Sequence, residues 1–161
     1  MFDKIKPYVL ALALVANLAG CTVTVPMATE AEDQLRKTFS VSQDKAGLYI
    51  FSMTKSHYPQ FFINERYYNN GVNLYRLGYK TYTFQEISPG TNFISTIGSA
   101  FSSKNKILLS INAEAGQNYF VQVTPHMGMW TWYTTAKLVS ENVGKESVLM
   151  CKLSRNKGFS Y

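Results

Sequence analysis

The stretch GLYIFSM, residues 47–53, decides the fold. It is apolar on both faces and rich in residues that favour β-structure, which is typical of a strand at the centre of a sheet. From Ala46 onward the hydrophobic pattern has a period of two. Later runs repeat this pattern: KILLSINA places Ile107, Leu109 and Ile111 on one side, NYFVQVT does the same with Tyr119, Val121 and Val123, and KTYTFQEI turns Tyr82 and Phe84 inward.

Residues with turn chemistry separate these runs. Asn70-Gly71 suits the positive φ angles of a tight hairpin, Pro89-Gly90 suits a type II turn, and residues 115–118 form a polar corner. Roughly nine strands at regular spacing, with one helix, predict a mainly β fold built as a single antiparallel β-sandwich. The remaining strand candidates are QFFINERY, VNLYRL, NFISTI, TWYTTAKLV and ESVLMCKL.

One helix is expected before the strands. Thr29 followed by Glu32 is a capping-box pattern, which marks the start of a helix. Apolar residues then recur four positions apart, so we predict a short amphipathic helix over residues 28–39 whose apolar stripe packs on the domain. The stripe consists of Ala31, Leu35 and Phe39. Residues 28–161, including this helix, form one β-sandwich domain without repeats.

The N-terminal segment has the pattern of a secretory signal peptide. Lys4 and Lys6 give a basic start, and residues 8–18 are uncharged and mostly apolar. The apolar run is too short for the roughly 20 residues of a transmembrane helix. We therefore predict a signal peptide over residues 1–20. A leader with an incidental cysteine and an N-terminal core helix are the alternatives.

The segment Leu18-Ala19-Gly20-Cys21 resembles the lipobox of bacterial lipoproteins. The resemblance implies that the Cys21 thiol carries diacylglycerol, that cleavage falls between Gly20 and Cys21, and that the new amino terminus is acylated. Several acyl chains anchor a protein stably, so residues 21–27 become a lipidated tether to the membrane. An aspartate after the cysteine would favour retention in the inner membrane. Thr22 stands there instead and favours the outer membrane, with the domain facing the periplasm.

The chain after the signal peptide is mildly basic. The leader holds two of the 16 Lys and Arg residues and one of the 10 Asp and Glu residues, which leaves 14 minus 9, or +5. The charges are scattered except in the tail, with Lys152, Arg155 and Lys157, so no nucleic-acid groove is indicated. This charge fits two interpretations. The basic residues form a solvated surface, or they contact anionic lipid headgroups or peptidoglycan.

Cysteine is scarce. With Cys21 acylated, Cys151 is the only remaining thiol, and no internal disulfide can form. We expect Cys151 to be a buried small hydrophobic residue. An intermolecular disulfide and a reactive thiol are the alternatives.

Three motifs carry a family resemblance. KAGLYIFSM, SPGTNFIST and INAEAGQNYFVQV, in this order, are similar to the DUF2846 family of small bacterial envelope lipoproteins, which has no established activity. The similarity spans roughly residues 28–153. It implies a β-sandwich, of the kind that prealbumin-like and PEGA-like modules also have, and a role in the envelope. The resemblance assigns a catalytic role to no residue of this chain.

The sequence offers little catalytic chemistry. A nucleophilic hydrolase needs a base beside its Ser or Cys, and His57 and His126 lie in loop-like sequence outside any known signature. Carboxylates in the strand region are isolated, no Gly-rich phosphate loop is present, and no His or Cys pair has zinc spacing. We therefore expect neither an enzyme nor a cofactor. The alternative is a cell-wall-active enzyme with an unrecognised site.

Two aromatic stretches are candidate binding surfaces. In TPHMGMWTWY, Trp130 and Trp132 alternate onto one face of a strand and Tyr133 onto the other. They suit core anchors or a platform for a sugar, peptide or protein partner. YYNNGVNLYRLGY, around Tyr75, resembles adaptable binding loops, or a polar hairpin that covers the sandwich edge.

The first of these stretches also contains soft or borderline metal ligands. His126, Met127 and Met129 are weak candidates for a copper contact, because copper is handled in the periplasm. Methionine is also a common filler of hydrophobic cores, so packing is the alternative.

These observations together predict a membrane-anchored envelope lipoprotein that acts as a non-catalytic binding or structural module. The acyl chains hold the domain at a membrane surface and raise its effective concentration for a partner. An envelope protein or peptidoglycan is the expected partner.

Overall fold

The computed structural model describes residues 25–54, 66–97, 105–127 and 132–155. Within these ranges the chain is mainly β, with nine strands in two sheets and two short helices. None of the helices in the described ranges has the length and apolar character needed to cross a bilayer. The elements are α1 (Glu30–Arg36), β1 (Ala46–Ser52), β2 (Arg66–Asn69), β3 (Val72–Arg76), β4 (Thr81–Ile87), β5 (Gly90–Ile97), β6 (Asn105–Ala113), β7 (Asn118–Met127), β8 (Trp132–Val139), α2 (Glu141–Leu149) and β9 (Lys152–Leu153).

The two sheets differ in strand direction. The five-stranded sheet has the order β8-β7-β1-β4-β9, and the four-stranded sheet has the order β3-β2-β5-β6. All pairs of the four-stranded sheet are antiparallel, but β1 runs parallel to β7 and β4 runs parallel to β9. The prediction of an entirely antiparallel fold is therefore wrong for the five-stranded sheet, which is mixed. Alternation along a strand does not encode the direction of its neighbour, and parallel pairs need long crossover connections.

β1 is the central strand, as its sequence predicts. All of its residues are buried. One face contributes Leu48 and Ile50 to the core between the two sheets, and the other contributes Tyr49 and Phe51 to an outer cluster. The outer cluster consists of Tyr49, Phe51, Tyr82, Phe120, Val148 and Cys151.

Helix α2 corrects the prediction of a strand over ESVLMCKL. Residues up to Leu149 are helical, and only Lys152–Leu153 form a short strand. Gly144 and Val148 are buried, and their spacing of four is helical. Gly144 lets α2 approach the sheet, because a Cβ at this position would overlap the Phe120 ring. The chain therefore has a second helix, which covers part of the outer cluster.

Helix α1 has the predicted capping box but a different buried face. Thr29 and Glu32 make both reciprocal hydrogen bonds of the box. The expected apolar stripe is wrong, because Leu35 is 58% exposed and the buried residue of the helix is Asp33. Phe39 lies beyond the end of the helix with a φ angle of 58° and packs against the outer cluster. Polar contacts, described below, hold α1 on the sheet.

The other strand predictions on described residues are confirmed except at one bulge, whereas QFFINERY lies outside the described residues apart from Arg66 and Tyr67, which belong to β2. Tyr82 is fully buried and Phe84 partly buried, and the residues named on β7 face the core. Ile107 is 62% exposed, because the β5–β6 register shifts beside it and leaves Leu108 without a paired residue on β5. Such a bulge moves a side chain to the other face of a strand. Turn geometry agrees at Asn70, Gly71 and Gly90, with φ angles of 47°, 82° and 105°.

Gly144→Ala should destabilise the protein, although alanine is the better helix former. The overpacking against Phe120 costs about 1–3 kcal/mol, which exceeds the gain of about 1 kcal/mol in helix propensity. Denaturant unfolding measures the difference. The control is Asn142→Ala on the exposed side of α2, which should stay within about 0.5 kcal/mol of wild type. A Gly144→Ala variant as stable as wild type would contradict the close packing of α2.

Candidate functional site

A cleft of about 270 Å³ opens where α1, β4 and the chain after β9 meet. We call it the arginine cleft, after Arg36 of α1 and Arg155, which lies just beyond β9. The other residues that line it are Ala28, Glu32, Thr83, Phe84, Leu153 and Ser154. The cleft thus combines two guanidinium groups, one carboxylate and an apolar wall.

Two buried tyrosines fix α1 and thereby position Arg36. Tyr49 Oη donates a hydrogen bond to the carbonyl oxygen of Arg36 at 2.9 Å, and Tyr82 Oη donates to that of Asp33 at 3.2 Å. Burial raises the pKa of both phenols, so both remain protonated donors. The Asp33 carbonyl oxygen also accepts the Lys37 N–H and that of Arg36 the Phe39 N–H, so each tyrosine adds a second hydrogen bond to a carbonyl group near the end of α1.

Asp33 connects α1 to the C-terminal part of the chain. It is 4% exposed. One carboxylate oxygen accepts a hydrogen bond from Lys37 Nζ at 2.7 Å, and the other accepts one from the Leu153 backbone N–H at 3.0 Å. A buried carboxylate is tolerated only with such partners. Asp33 therefore sets the distance between α1 and the segment that carries Arg155.

The segment that contains Arg155 lies between β4 and residues 26–28. The Arg155 backbone N–H donates to the carbonyl oxygen of Pro26 at 2.7 Å, and the Ala28 N–H donates to that of Leu153 at 2.9 Å. The Ser154 N–H donates to the Tyr82 carbonyl oxygen at 2.8 Å. Residues 26–28 thus run along the C-terminal segment, and the cleft opens next to them.

Glu32 is the carboxylate of the cleft, and the helix cap already holds it. Its Oε2 accepts hydrogen bonds from the Thr29 backbone N–H and hydroxyl, each at 2.9 Å. These hydrogen bonds lower the pKa of Glu32, and the nearby charges of Arg155 and Arg36 lower it further. Glu32 therefore stays ionised at neutral pH and is a weak base.

The two arginines keep their hydrogen-bonding capacity for a ligand. The Arg36 guanidinium lies over the Phe84 ring, with Cζ 4.5 Å from the ring centroid. Within the described ranges neither Arg36 nor Arg155 forms a salt bridge, since those found there join Lys37 to Asp33 and Lys145 to Glu141. Two guanidinium groups against one carboxylate leave a charge of +1 in the lining.

The predicted lipid site and part of the predicted binding surface lie outside the described residues. Gly20, Cys21, Met129 and Trp130 belong to this group, so cleavage, lipidation and their other roles stay predictions. Tyr75 lies in β3, and Trp132 begins β8. β3 contacts β4, whereas β8 contacts β6. The structure therefore places Tyr75 and the β8 aromatics at opposite edges of the two sheets.

Tyr133 and His126 form a stacked pair on neighbouring strands. Their ring centroids are 4.9 Å apart with an interplanar angle of 14°, and Tyr133 is 46% exposed. His126 Nε2 also lies 2.9 Å from Thr135 Oγ1. Within the described ranges, His, Cys, Asp and Glu residues form no group of three or more that could hold a metal. Met127 ends β7.

Cys151 is buried, as predicted. It is 1% exposed, and its Sγ lies 3.5 Å from Met53 Sδ. Burial raises the pKa of this thiol to about 11. A thiol that stays protonated in an apolar cluster is a poor nucleophile.

Sequence reasoning missed the arginine cleft. In the sequence Arg155 is one charge of a basic tail, and Arg36 is one residue in the last turn of a predicted helix. The hydrogen bond between Asp33 and Leu153 that brings them together spans 120 positions. Comparison of the chain with protein-family models and with curated proteins gives no match.

Asp33→Ala should lower the free energy of unfolding by about 3 kcal/mol. The substitution leaves the mostly buried Lys37 side chain and the Leu153 N–H without their acceptor. The matched control is Glu141→Ala, which removes an exposed helical ion pair with Lys145 and costs less than about 0.5 kcal/mol. If urea unfolding showed the same loss of free energy of unfolding for both variants, Asp33 would not hold α1 against the C-terminal segment.

Proposed function

We propose that the chain is a membrane-anchored envelope lipoprotein that binds a partner, without catalysis, through the arginine cleft. One observation carries this proposal: the cleft opens beside residues 26–28, where the tether over residues 21–27 joins the domain. Cys21 and Ala28 are seven positions apart, which even a fully extended chain spans with at most about 25 Å. The acyl chains would therefore hold the cleft close to the outer membrane, on its periplasmic side.

Sequence features support the anchor. The lipobox-like segment ending at Cys21 and the resemblance to DUF2846 lipoproteins both favour an envelope protein. The two-sheet architecture is compatible with the family's β-sandwich, and we propose a prealbumin- or PEGA-like sandwich as the finer class.

The chemistry of the cleft favours binding over catalysis. Arginine remains protonated in proteins and is therefore a poor proton shuttle. Glu32 is committed to Thr29, and its lowered pKa makes it a poor general base. Guanidinium groups are, in contrast, well suited to anions, because their planar forks match carboxylate and phosphate oxygens.

Anchoring gives such a cleft an advantage even when its intrinsic affinity is modest. A domain confined to a membrane surface meets a partner in the same membrane, or in the adjacent cell wall, at a high effective concentration. An envelope protein and peptidoglycan are the two partners that we consider. Both present anionic groups.

Cys21→Ser should release the protein from membranes. In a bacterial host with lipoprotein processing, an alkyne-tagged fatty acid should label wild type and not the variant, because the acylated thiol is gone. Cys151→Ser is the matched control, since it also removes one thiol and should keep both the label and the membrane fractionation. Labelling that persists in Cys21→Ser would refute the anchor.

Photocrosslinking in intact cells should locate the partner at the cleft. A photoreactive amino acid in place of Ala28, which lines the cleft, should give a discrete adduct that the Cys21→Ser background loses. The same amino acid in place of Lys137, on exposed β8 at the far edge of the sheet, serves as the control. Identical adducts from both positions, or none from Ala28, would count against binding at the cleft.

A further inference from the structure

β4 is paired along its whole length on one side only. On that side it faces β1, from Thr81 to Ile87. On the other side β9 pairs with it only at Thr81 and Tyr82. Among the described residues, the later half of β4 therefore forms an open sheet edge next to the arginine cleft.

Main-chain groups of Phe84 and Glu86 point to this edge. The carbonyl oxygen of Tyr82 accepts the Ser154 N–H, so the main-chain polar groups of Tyr82 face β9. Alternate residues of a strand direct these groups to the same side, which gives Phe84 and Glu86 the same direction. On the side of β9 that faces away from β4, the Leu153 carbonyl oxygen accepts the Ala28 N–H and the Arg155 N–H donates to the Pro26 carbonyl oxygen. Within the described ranges, these groups of Phe84 and Glu86 have no backbone partner on that side.

The open edge begins at the guanidinium groups. Thr83 and Phe84 line the cleft, and the Arg36 guanidinium lies over the Phe84 ring. Arg155 and Leu153 form the opposite wall. A row of donors and acceptors that have no backbone partner among the described residues thus runs from a positively charged, partly apolar pocket.

We propose that the arginine cleft binds the free C-terminal carboxylate of an extended peptide, whose last residues add as a strand to the open edge of β4. Strand addition at a sheet edge and capture of a chain-terminal carboxylate are both recurring modes of peptide recognition. The carboxylate would bind the guanidinium forks of Arg36 and Arg155, while the terminal side chain contacts Phe84 and Leu153. This ligand assignment rests on the proposed role of the cleft as a binding site.

Charge and size favour a peptide terminus. The lining charge of +1 is neutralised by one carboxylate, whereas a doubly charged phosphate would exceed it and face the Glu32 carboxylate. The volume of about 270 Å³ lies below the range of roughly 300–1,000 Å³ that is common for pockets of drug-sized ligands. It suits the last residue or two of a peptide.

The test is a titration of the full chain in neutral detergent, read by fluorescence anisotropy. The probes are trialanine with an N-terminal fluorophore and a free carboxylate, and the same peptide with a C-terminal amide. The free acid should bind at least about tenfold more tightly, which corresponds to about 1.4 kcal/mol, because charge-assisted hydrogen bonds are lost with the amide. Methylation of the peptide's backbone nitrogens should weaken binding as well, since it removes donors for the β4 edge.

Variants connect the affinity to the cleft. Arg155→Gln and Arg36→Gln should each weaken binding of the free acid by about tenfold or more. Arg155→Lys keeps the charge but loses the guanidinium fork, so it should fall between wild type and Arg155→Gln. Lys137→Gln removes the same charge at the far edge of the sheet and should change nothing. Thermal unfolding of each variant confirms that the fold is retained.

The outcomes separate the two proposals. Equal affinity for the acid and the amide, or displacement of the peptide by inorganic phosphate at lower concentration than by acetate, would overturn the carboxylate assignment. Binding at the cleft would then still stand, provided that the arginine variants weaken it. If neither peptide nor phosphate binds in a manner that depends on Arg36 and Arg155, the binding function of the cleft fails as well.

Discussion

Burial of β1 on both faces is the constraint from which the rest of the structure follows. Its side chains alternate between two apolar environments, and each large side chain contributes about 1.5–3 kcal/mol when it leaves water. The four-stranded sheet can cover only one of these faces. The other face carries Tyr49 and Phe51, and α1 and α2 cover it. Gly144 allows α2 to pack closely on the sheet, and Asp33 of α1 accepts a hydrogen bond from the Leu153 backbone.

The arginine cleft is a consequence of this incomplete cover. β9 is only two residues long, and the described chain beyond it bonds through Arg155 to Pro26. Open sheet edges attract unwanted strands, and proteins protect them with charge. Here Glu86 is exposed and Arg36 and Arg155 border the edge, so neutral apolar strands are disfavoured. A strand that ends in a carboxylate meets complementary charge at the same place. The same charges would then both protect the edge and select the ligand.

The parts of the fold that could be predicted are those with local signals. The doubly apolar run of β1, the Thr29 capping box and the Asn70-Gly71 hairpin each lie within a few residues of sequence. The parts that could not be predicted depend on distant partners. Alternation gave no sign that β1 and β7 are parallel. The bulge at Leu108 depends on its register with β5.

The same distinction applies to helices and to the site. Gly144, Val148 and Cys151 have helical spacing, but the apolar run VLMC also suits a strand. The close approach of Gly144 to Phe120 in the fold distinguishes the two. Residue type alone marks the aromatic residues as candidates for a binding surface, and the structure separates Tyr75 from β8. Arg36 carries no distinguishing signal in sequence. Its significance comes from Phe84 beneath it and from Arg155, which packing brings to the same cleft.

A lipid anchor and the arginine cleft would together impose a geometric condition on the proposed partner. Residues 26–28 hydrogen-bond to Leu153 and Arg155, so these residues and one wall of the cleft form a single hydrogen-bonded unit. A lipid on Cys21 would keep this unit within about 25 Å of the membrane. The partner would then have to present its C terminus at that height, in extended form, with its backbone free to pair. Chain ends buried in folded domains fail this condition, and so do ends far from the membrane. The tether would thereby add selectivity that the small cleft alone does not supply.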